Sequence, residues 1–349
     1  MNSPDPSRRP GRLGVGIVGA GKVGAVLGAA LRAAGHAVVG VSAVSEASRE
    51  RAGMLLPGVP VLEIPDIIER AELVLLAVPD DALPPLVEGL ARLGSWQSGQ
   101  LVVHTSGRYG IGVLAPARAA GAIPLALHPA MTFTGMTLDL GRLPDCCFGV
   151  TAPGAVLPIA QALVVEMGAE PVVIEEESRG LYHAALAHAS NHLVTLASQS
   201  AQLLGDLGVH RPERMLGPLM KASLENALSA GEGALTGPVS RGDTGTVAAH
   251  GKALAAHDAQ DIRIAYREMA RATAQRAVER GLLSREQGEA VVAALGGDPS
   301  SGSGSGSGGG PADVPGDGQK SGPESGSKSG PGSASGEAET EARTQEDGS

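Results

Sequence analysis

The stretch from Leu181 to Gly205 contains three histidines, one asparagine and two glutamines but no Asp, Glu, Lys or Arg. At about 100° per residue, His188 and Asn191 share one face of a helix with other polar residues, and His183 lies on its flank. A solvent-facing helix usually carries charged residues there. We therefore expect a helix buried on all sides that lines a wet cleft or a subunit interface. The alternative is a surface helix with few charges.

These residue types suit chemistry at a carbonyl or imine group. A histidine titrates near neutrality and can deliver a proton to an oxygen or nitrogen on which negative charge builds. An amide can hold such an atom in place through a hydrogen bond. We predict that His183 or His188 is the proton donor and that Asn191 positions the substrate.

A glycine-rich turn near the N-terminus points to a bound dinucleotide. The apolar run "LGVGIV" ends in Gly19-Ala20-Gly21-Lys22-Val23-Gly24, and a helix-like run follows. In this setting the first glycine permits a tight turn, the second admits a pyrophosphate, and the third lets helix and strand pack closely. Phosphates then lie at the helix N-terminus, where free N–H groups favour negative charge. We predict that these six residues bind the cofactor; the alternative is a purely structural turn.

The end of the next strand-like run distinguishes NAD from NADP. NAD-binding proteins place an acidic residue there to bind the ribose 2′-hydroxyl. Here the run ends in Ser42-Ala43-Val44-Ser45, and Arg49 follows. Hydroxyl groups and an arginine suit a 2′-phosphate better, although Glu46 is a contrary signal. We predict that Ser42 and Ser45 contact the ribose phosphate of NADP, with NAD as the alternative.

Polar residues also follow other strand-like runs. Ligands in open α/β sheets bind outside the carboxyl ends of the strands. A single histidine at a strand end is usually structural, but two facing one crevice make a ligand contact by at least one of them more plausible. We predict His128 as a substrate contact, and as further cofactor contacts Pro79, Asp80, His104, Thr105 and Ser106.

Short Val/Leu-rich runs alternate with helix-like runs up to about residue 176, and only helical periodicity continues after Glu177. This pattern predicts an α/β Rossmann domain, with a mostly parallel sheet and helices on both faces, followed by an all-α domain. The predicted boundaries are a disordered leader (1–12), the NAD(P)-binding domain (13–176), a helical substrate and dimerisation domain (177–296) and a disordered acidic Gly/Ser-rich tail (297–349).

Composition excludes several partners. The formal net charge is −10, and the tail contributes −6 through nine acidic and three basic residues, so about −4 remains for the folded part. This balance and the six aromatic residues argue against nucleic acid. No run is apolar enough to span a membrane, and the start lacks a signal-peptide core. We expect a cytoplasmic protein with no metal site, in which Cys146 and Cys147 are free thiols.

The loop "LTGPVSRGDTGT" contains the last candidate site residue. Gly237-Pro238 suits a turn and Asp243 suits a helix N-cap, which could explain the loop fully. Alternatively, Arg241 contacts a carboxylate or phosphate of the substrate, in its own subunit or a neighbouring one.

Five motifs occur in order: "GIVGAGKVG", "HTSG" from His104, "HP" with Phe133, "YHAA" with Ser190-Asn191, and "LTGP" with "RGD". Together they resemble the Rossmann-like oxidoreductases whose C-terminal half is domain of unknown function 2520, over residues 13–296. The resemblance implies a 6-phosphogluconate-dehydrogenase-like helical domain, a dimer built from it, and NAD(P) dependence without an agreed substrate. It also implies kinship with pyrroline-5-carboxylate reductases and β-hydroxyacid dehydrogenases.

One departure from these relatives concerns the helix. β-Hydroxyacid dehydrogenases use a Lys-x-x-Asn pair, whereas this chain has His188-Ala189-Ser190-Asn191. Either a histidine, His188 or His183, replaces the lysine or the chemistry differs, which argues against simple hydroxyacid oxidation. We predict an NADP-preferring oxidoreductase that acts on a small polar carbonyl or imine compound. The alternatives are a 2-oxo-acid (ketopantoate-like) reductase and a non-catalytic NADP(H)-sensing protein.

Overall fold

The computed structural model describes residues 12–296. The predicted tail (297–349) and all of the predicted leader except its last residue lie outside this range. Contacts between Cα atoms divide the chain into two compact units, with the division between Leu235 and Thr236.

The first unit is built on a seven-stranded sheet, and every run that the sequence marked as strand-like contributes to it. The strand order is β2-β1-β3-β4-β5-β6-β7. The strands are β1 (Gly14–Val18), β2 (Ala37–Ser42), β3 (Leu73–Leu76), β4 (Leu101–His104), β5 (Ile123–Pro129), β6 (Cys147–Thr151) and β7 (Glu170–Val173). All neighbouring pairs are parallel except β5 and β6. This confirms the predicted mostly parallel sheet.

Helices fill most connections between the strands. The helices of this unit are α1 (Lys22–Ala33), α2 (Glu46–Leu55), α3 (Ile64–Arg70), α4 (Leu83–Arg92), α5 (Ala115–Ala119), α6 (Leu157–Glu166), α7 (Arg179–Asp206) and α8 (Pro212–Ala230). Buried Val, Leu and Ile side chains form two clusters, as expected for a sheet with helices on both faces. Between β5 and β6 a loop and a 3-10 segment (Thr137–Asp145) replace the crossover helix, so the two strands run antiparallel.

The sheet has a switch point between β1 and β3. From β1 the chain moves to β2 on one side and then to β3 on the other, and the remaining strands continue in that direction. Ligands of such sheets bind at the carboxyl ends of the strands next to this point. The glycine turn that follows β1 therefore occupies the position that the fold favours for a ligand.

The sequence placed a domain boundary after residue 176, where the strands stop, whereas the contacts divide the chain after Leu235. The two criteria differ because α7 begins with Arg179, whose side chain is buried against the sheet. The second unit contains α9 (Thr244–Ala256), α10 (Gln260–Glu279) and α11 (Arg285–Ala294). Its small core includes Val247, Ala274 and Val291.

The expectation that α7 is buried on all sides is wrong for the single chain. His188, Asn191 and His192 are exposed, and so are apolar residues such as Val194, which is 65% exposed. The missing charges led to this expectation, but they do not reveal whether the cover comes from the same chain. The one buried side chain of the helix is that of Arg179, at its beginning.

Candidate functional site

The glycine turn packs closely against the end of β3. Gly19 has a φ of 103°, in the region that favours glycine. A Cβ atom at Gly19 would lie 2.5 Å from the carbonyl oxygen of Ala77, and one at Gly24 would clash with the carbonyl oxygen of Gly19. At Gly21, by contrast, a Cβ atom would have no neighbour closer than Ala77, at 4.0 Å. The first and third glycines therefore serve packing, and the second leaves open space above the turn.

The start of α1 faces this open space with unpaired N–H groups. Gly21 is the N-cap, has no side-chain cap, and no acidic residue occupies the first turn. The first N–H groups of a helix lack partners within the helix, and the helix dipole favours an anion there. Open space, free donors and the absence of a competing carboxylate fit the pyrophosphate of a dinucleotide.

The two serines predicted to contact a ribose phosphate are engaged with the main chain. Ser42 is buried, and its Oγ accepts a hydrogen bond from the N–H of Gly19 at 2.9 Å. Ser45 is the N-cap of α2, where its side chain accepts a hydrogen bond from the N–H of Ser48. The geometry gives Ser42 the role of holding the glycine turn. For the exposed Ser45 the phosphate contact stays a prediction.

Two cations lie beside the turn, and the sequence analysis missed one of them. Arg51, in α2, donates from Nη1 to the carbonyl oxygen of Ala20 at 3.1 Å. A Cβ atom at Gly135 would lie 2.6 Å from Nε of Arg51 and 3.0 Å from Cγ of Lys22. The loop after β5 therefore meets both side chains next to the glycine turn. No local spacing in the sequence indicates this, because Gly135 is distant along the chain.

The fully buried side chain of His104 organises the loop after β4. Its Nδ1 accepts a hydrogen bond from the N–H of Ser106 at 3.2 Å, and its Nε2 lies 2.9 Å from the carbonyl oxygen of Gly110. Nε2 must therefore carry the hydrogen. Burial lowers the pKa of His104 to about 4, so the ring is neutral. The prediction that this side chain contacts the cofactor is wrong, because both ring nitrogens form hydrogen bonds within the loop.

The other strand-end residues differ in accessibility. Ser106 is buried and its Oγ accepts a hydrogen bond from the N–H of Tyr109, whereas Thr105 and Asp80 are half-buried and Pro79 is exposed. For Pro79, Asp80 and Thr105 the cofactor contact stays a prediction. Ser106 primarily shapes its loop.

Arg179 connects the first turn of α7 to the sheet. Its side chain is 1% exposed. Nε donates a hydrogen bond to Oγ1 of Thr151 at 2.8 Å. The other two nitrogens donate to main-chain carbonyl oxygens: Nη2 to those of Ala126 and Gly149 at 2.9 and 3.0 Å, and Nη1 to the carbonyl oxygen of Ser106 at 3.4 Å. No sequence pattern indicated this role, since an arginine at a helix start is usually exposed.

Glu176, three residues earlier, attaches the same region to the loop after β4. Its carboxylate oxygens accept hydrogen bonds from the N–H groups of Ile111 and Gly112 at 2.7 and 2.9 Å. Gly110 lies directly against this carboxylate, where a Cβ atom would clash with it. The start of α7 is therefore fixed to both β6 and the β4 loop.

A pocket of about 430 Å³ opens between the end of β5 and α7. Its lining brings together three predicted site residues, His128, His183 and Asn191, with small and apolar neighbours. The rings of His128 and His183 lie 5.8 Å apart, centroid to centroid. His188 does not line this pocket; its Nδ1 lies 2.8 Å from Nδ1 of His192 on the exposed face. Of the two candidate proton donors, the geometry favours His183.

Arg241 lies in the second unit, where it is exposed. The turn that was the alternative explanation of its loop is present: Asp243 caps α9 by accepting a hydrogen bond from the N–H of Thr246 at 3.0 Å. The substrate contact of Arg241 stays a prediction.

Two family models match the sequence. One describes a Rossmann-like domain and matches residues 1–129; the other describes the domain of unknown function DUF2520 and matches residues 146–273. The chain belongs to the Rossmann-like proteins that carry a DUF2520 domain. This confirms the resemblance found in the motifs. No curated protein matches the chain in sequence.

Many solved structures share the fold, and three of them illustrate it. A candidate NADP oxidoreductase from Bacteroides fragilis, BF3122, is 20% identical, with coverage of 75% of this chain and 98% of that one and a TM-score of 0.63. Protein TM1727 from Thermotoga maritima is 24% identical, with coverages of 76% and 99% and a TM-score of 0.58. An imine reductase from Pseudomonas sp. is 17% identical, with coverages of 81% and 92% and a TM-score of 0.50.

No helix within residues 12–296 is both long and apolar enough to cross a membrane.

The buried His104 predicts a pH dependence of stability. Its pKa is about 4 in the folded chain and about 6.5 when unfolded, so the unfolded chain binds more protons between these values. The contribution of the neutral His104 side chain to the free energy of unfolding is fully present above about pH 6.5 and is lost as the pH falls towards 4. In His104→Gln, we expect the slope of unfolding free energy against pH in this window to decrease by up to ~1.4 kcal/mol per pH unit. Urea unfolding at several pH values measures it.

His210→Gln is the control, because His210 is exposed. It should leave the slope unchanged. An identical slope in His104→Gln and in the unsubstituted protein would show that His104 is protonated in the folded chain, against the assigned hydrogen bonds.

Proposed function

We propose that this protein is an NAD(P)-dependent oxidoreductase that prefers NADP and acts on a small polar carbonyl or imine compound. The observation that carries the proposal is the pocket in which His128, His183 and Asn191 meet, in the same unit as the glycine turn. The names of two relatives with this fold, an NADP oxidoreductase candidate and an imine reductase, support the reaction class.

The residues of the pocket would divide the chemistry among them. A bound nicotinamide would supply the hydride. His183 would deliver the proton that the reduced oxygen or nitrogen takes up, and the amide of Asn191 would hold that atom through a hydrogen bond. His188 has no part in this scheme, because it lies outside the pocket lining.

The lining of the pocket bears on the 2-oxo-acid alternative. It includes no Lys or Arg among residues 12–296. A 2-oxo acid carries a carboxylate, and proteins usually bind carboxylates with a cation. This favours a substrate without a carboxylate.

The preference for NADP rests on the positive charge at the adenosine side. Arg49 and Ser45 are exposed at the start of α2, and Arg51 and Lys22 lie beside the glycine turn. Arginine and hydroxyl groups suit a phosphate on the 2′ oxygen. Glu46 is exposed in the same first turn and would oppose it.

Calorimetric titration of the full-length protein tests cofactor binding. We expect a Kd for NADPH in the micromolar range and binding of NADH at least ~10-fold weaker, which corresponds to about 1.4 kcal/mol. Gly21→Ala should fold, since a Cβ atom there meets nothing within van der Waals contact, but should weaken binding of both by at least ~10-fold by filling the pyrophosphate space.

Gly89→Ala in α4 is the matched control, because a Cβ atom there also meets no close neighbour. It should leave both affinities unchanged. If neither nucleotide binds to the unsubstituted protein, the glycine turn is structural and the oxidoreductase proposal is wrong.

Substitution of the two candidate proton donors tests the site. With NADPH and a panel of small ketones, aldehydes and cyclic imines, we expect His183→Ala to lower kcat by roughly 10²–10⁴-fold, the usual contribution of a general acid. His188→Ala is the control and should retain kcat, because the side chain lies outside the pocket. Equal loss in both variants would contradict the assignment to His183. Tight NADPH binding without any turnover would favour an NADP(H)-sensing protein.

We also propose that two copies of this chain pair through α7 and α8. Both helices expose large apolar side chains, among them Leu196, Leu219 and Leu228. Soluble monomers rarely expose such a surface. A two-fold axis brings the same face of both copies together, so a charged face would repel its copy. Residues 180–205 of α7 carry no charge, which removes this obstacle.

Sedimentation equilibrium tests this pairing. We expect a dimer for the full-length chain and a monomer for Val194→Glu, because the new charges would meet near the axis and lose their hydration. Val165→Glu is the control on α6, where the valine is 60% exposed against 65% for Val194. A monomeric unsubstituted protein would exclude the dimer.

A further inference from the structure

A histidine–tyrosine pair forms part of the pocket wall, and the proposed mechanism does not explain it. Nδ1 of His128, near the end of β5, lies 2.8 Å from the hydroxyl oxygen of Tyr182, in the first turn of α7. The rings meet edge to face at an angle of 88°. His128 lines the pocket, and Tyr182 is not part of its lining. The tyrosine therefore approaches the histidine from behind.

The chemistry of the two side chains determines which atom donates in this pair. Gly149 in β6 pairs with His128, and a Cβ atom at Gly149 would lie 2.6 Å from the hydroxyl oxygen of Tyr182, so the phenol packs closely against this strand. A phenol O–H is a stronger donor than the N–H of a neutral imidazole, and an imidazole nitrogen is a stronger acceptor than a phenol oxygen, so Tyr182 donates to Nδ1 of His128. With Nδ1 as an acceptor, Nε2 of the neutral ring carries the hydrogen.

Nε2 of His128 and the ring of His183 pack against the same glycine. A Cβ atom at Gly107 would lie 2.8 Å from Nε2 of His128 and 2.7 Å from Cδ2 of His183. The glycine therefore contacts both rings and leaves them side by side at the pocket. A group bound there can meet the Nε2–H of one ring and the proton of the other.

The surroundings keep His128 uncharged. The titratable and charged groups that face it are Arg179, His183, Asp80, Tyr182 and His104. Burial and the charge of Arg179 lower its pKa to about 4, and Asp80 opposes this only in part. The ring is therefore neutral throughout the physiological range. A neutral imidazole cannot bind a carboxylate as an ion pair, but it can donate one hydrogen bond.

We propose that Tyr182 is a positioning residue that fixes His128 as the Nε2–H tautomer, so that His128 donates a hydrogen bond to the oxygen of a carbonyl substrate. The proposal rests on the proposed oxidoreductase function and selects between its two substrate classes. A carbonyl oxygen accepts this hydrogen bond, whereas the nitrogen of a protonated imine has no lone pair to accept it.

A bound nicotinamide would supply a hydride to the carbonyl carbon, and the π electron pair of the C=O bond would move to the oxygen. The oxygen takes one proton from His183 while the Nε2–H of His128 stabilises the negative charge that develops there. His128 itself gains and loses no proton, so its neutral state suits this role.

Nuclear magnetic resonance of the full-length protein with ¹⁵N-labelled histidine tests the tautomer without cofactor or substrate. We expect one histidine, assigned by its loss in His128→Gln, to show a protonated Nε2 and an unprotonated Nδ1 that do not titrate between about pH 5 and 8. In Tyr182→Phe, which keeps the ring and removes the hydroxyl, we expect a mixture of both tautomers at this residue.

The second unit offers a matched control. Nδ1 of His250 lies 2.8 Å from the hydroxyl oxygen of Tyr266, with ring centroids 5.9 Å apart. Tyr266→Phe removes the same kind of hydrogen bond from a different histidine and should leave the His128 signals unchanged. A protonated Nδ1 at His128 in the unsubstituted protein, or a ring charged at neutral pH, would overturn the proposal even if Tyr182→Phe did not fold.

Kinetics test the substrate class. With NADPH and a ketone or aldehyde that turns over, we expect Tyr182→Phe to lower kcat by about 10-fold and Tyr266→Phe to leave it unchanged, with the KM for NADPH the same in both. Faster turnover of cyclic imines than of any carbonyl compound would contradict the selection. The Nε2–H tautomer together with no NADPH binding would instead leave the positioning role intact and disprove the oxidoreductase function.

Discussion

The buried guanidinium of Arg179 is the interaction on which the candidate site depends. A guanidinium has five N–H donors in a rigid plane. Here its donors bond to Thr151 and to the carbonyl oxygens of Ser106, Ala126 and Gly149, so one side chain ties α7 to β5, β6 and the loop after β4. Burying a charge is costly, and these charge-assisted hydrogen bonds, with the nearby carboxylate of Glu176, compensate for the lost hydration. The position of α7 against the sheet is fixed as a result.

This arrangement also determines the protonation of the pocket. The same charge lies close enough to His128 to lower its pKa, and Arg179 lies over the ring of Tyr182. A residue whose main effect is to hold a helix therefore also keeps the neighbouring histidine neutral. His183, one turn further along α7, lines the pocket, and the hydrogen bonds of Arg179 hold the beginning of this helix against the sheet. Structure and electrostatics at this site have one physical origin.

The geometry of the pocket bears on the absence of a lysine from the His188–Asn191 segment of α7. In the related Lys-x-x-Asn arrangement a cation would stand beside the amide, whereas here His188 takes that position and faces away from the pocket. In the proposed reduction, two histidines from different elements take its place, His128 on β5 and His183 on α7. A neutral hydrogen-bond donor beside a second imidazole suits reduction at an uncharged group.

The sequence by itself determined the seven strands, the change to helices and the glycine turn, because these depend on local periodicity and on glycines at fixed spacing. It also selected His183 and Asn191 through an uncharged helix face. Only the tertiary structure decided that His104 and Ser42 hold loops and that Arg179 is buried. Those roles arise from partners far apart in the chain, such as Ser42 with Gly19 and Arg179 with Ala126, and no local pattern encodes a contact across strands.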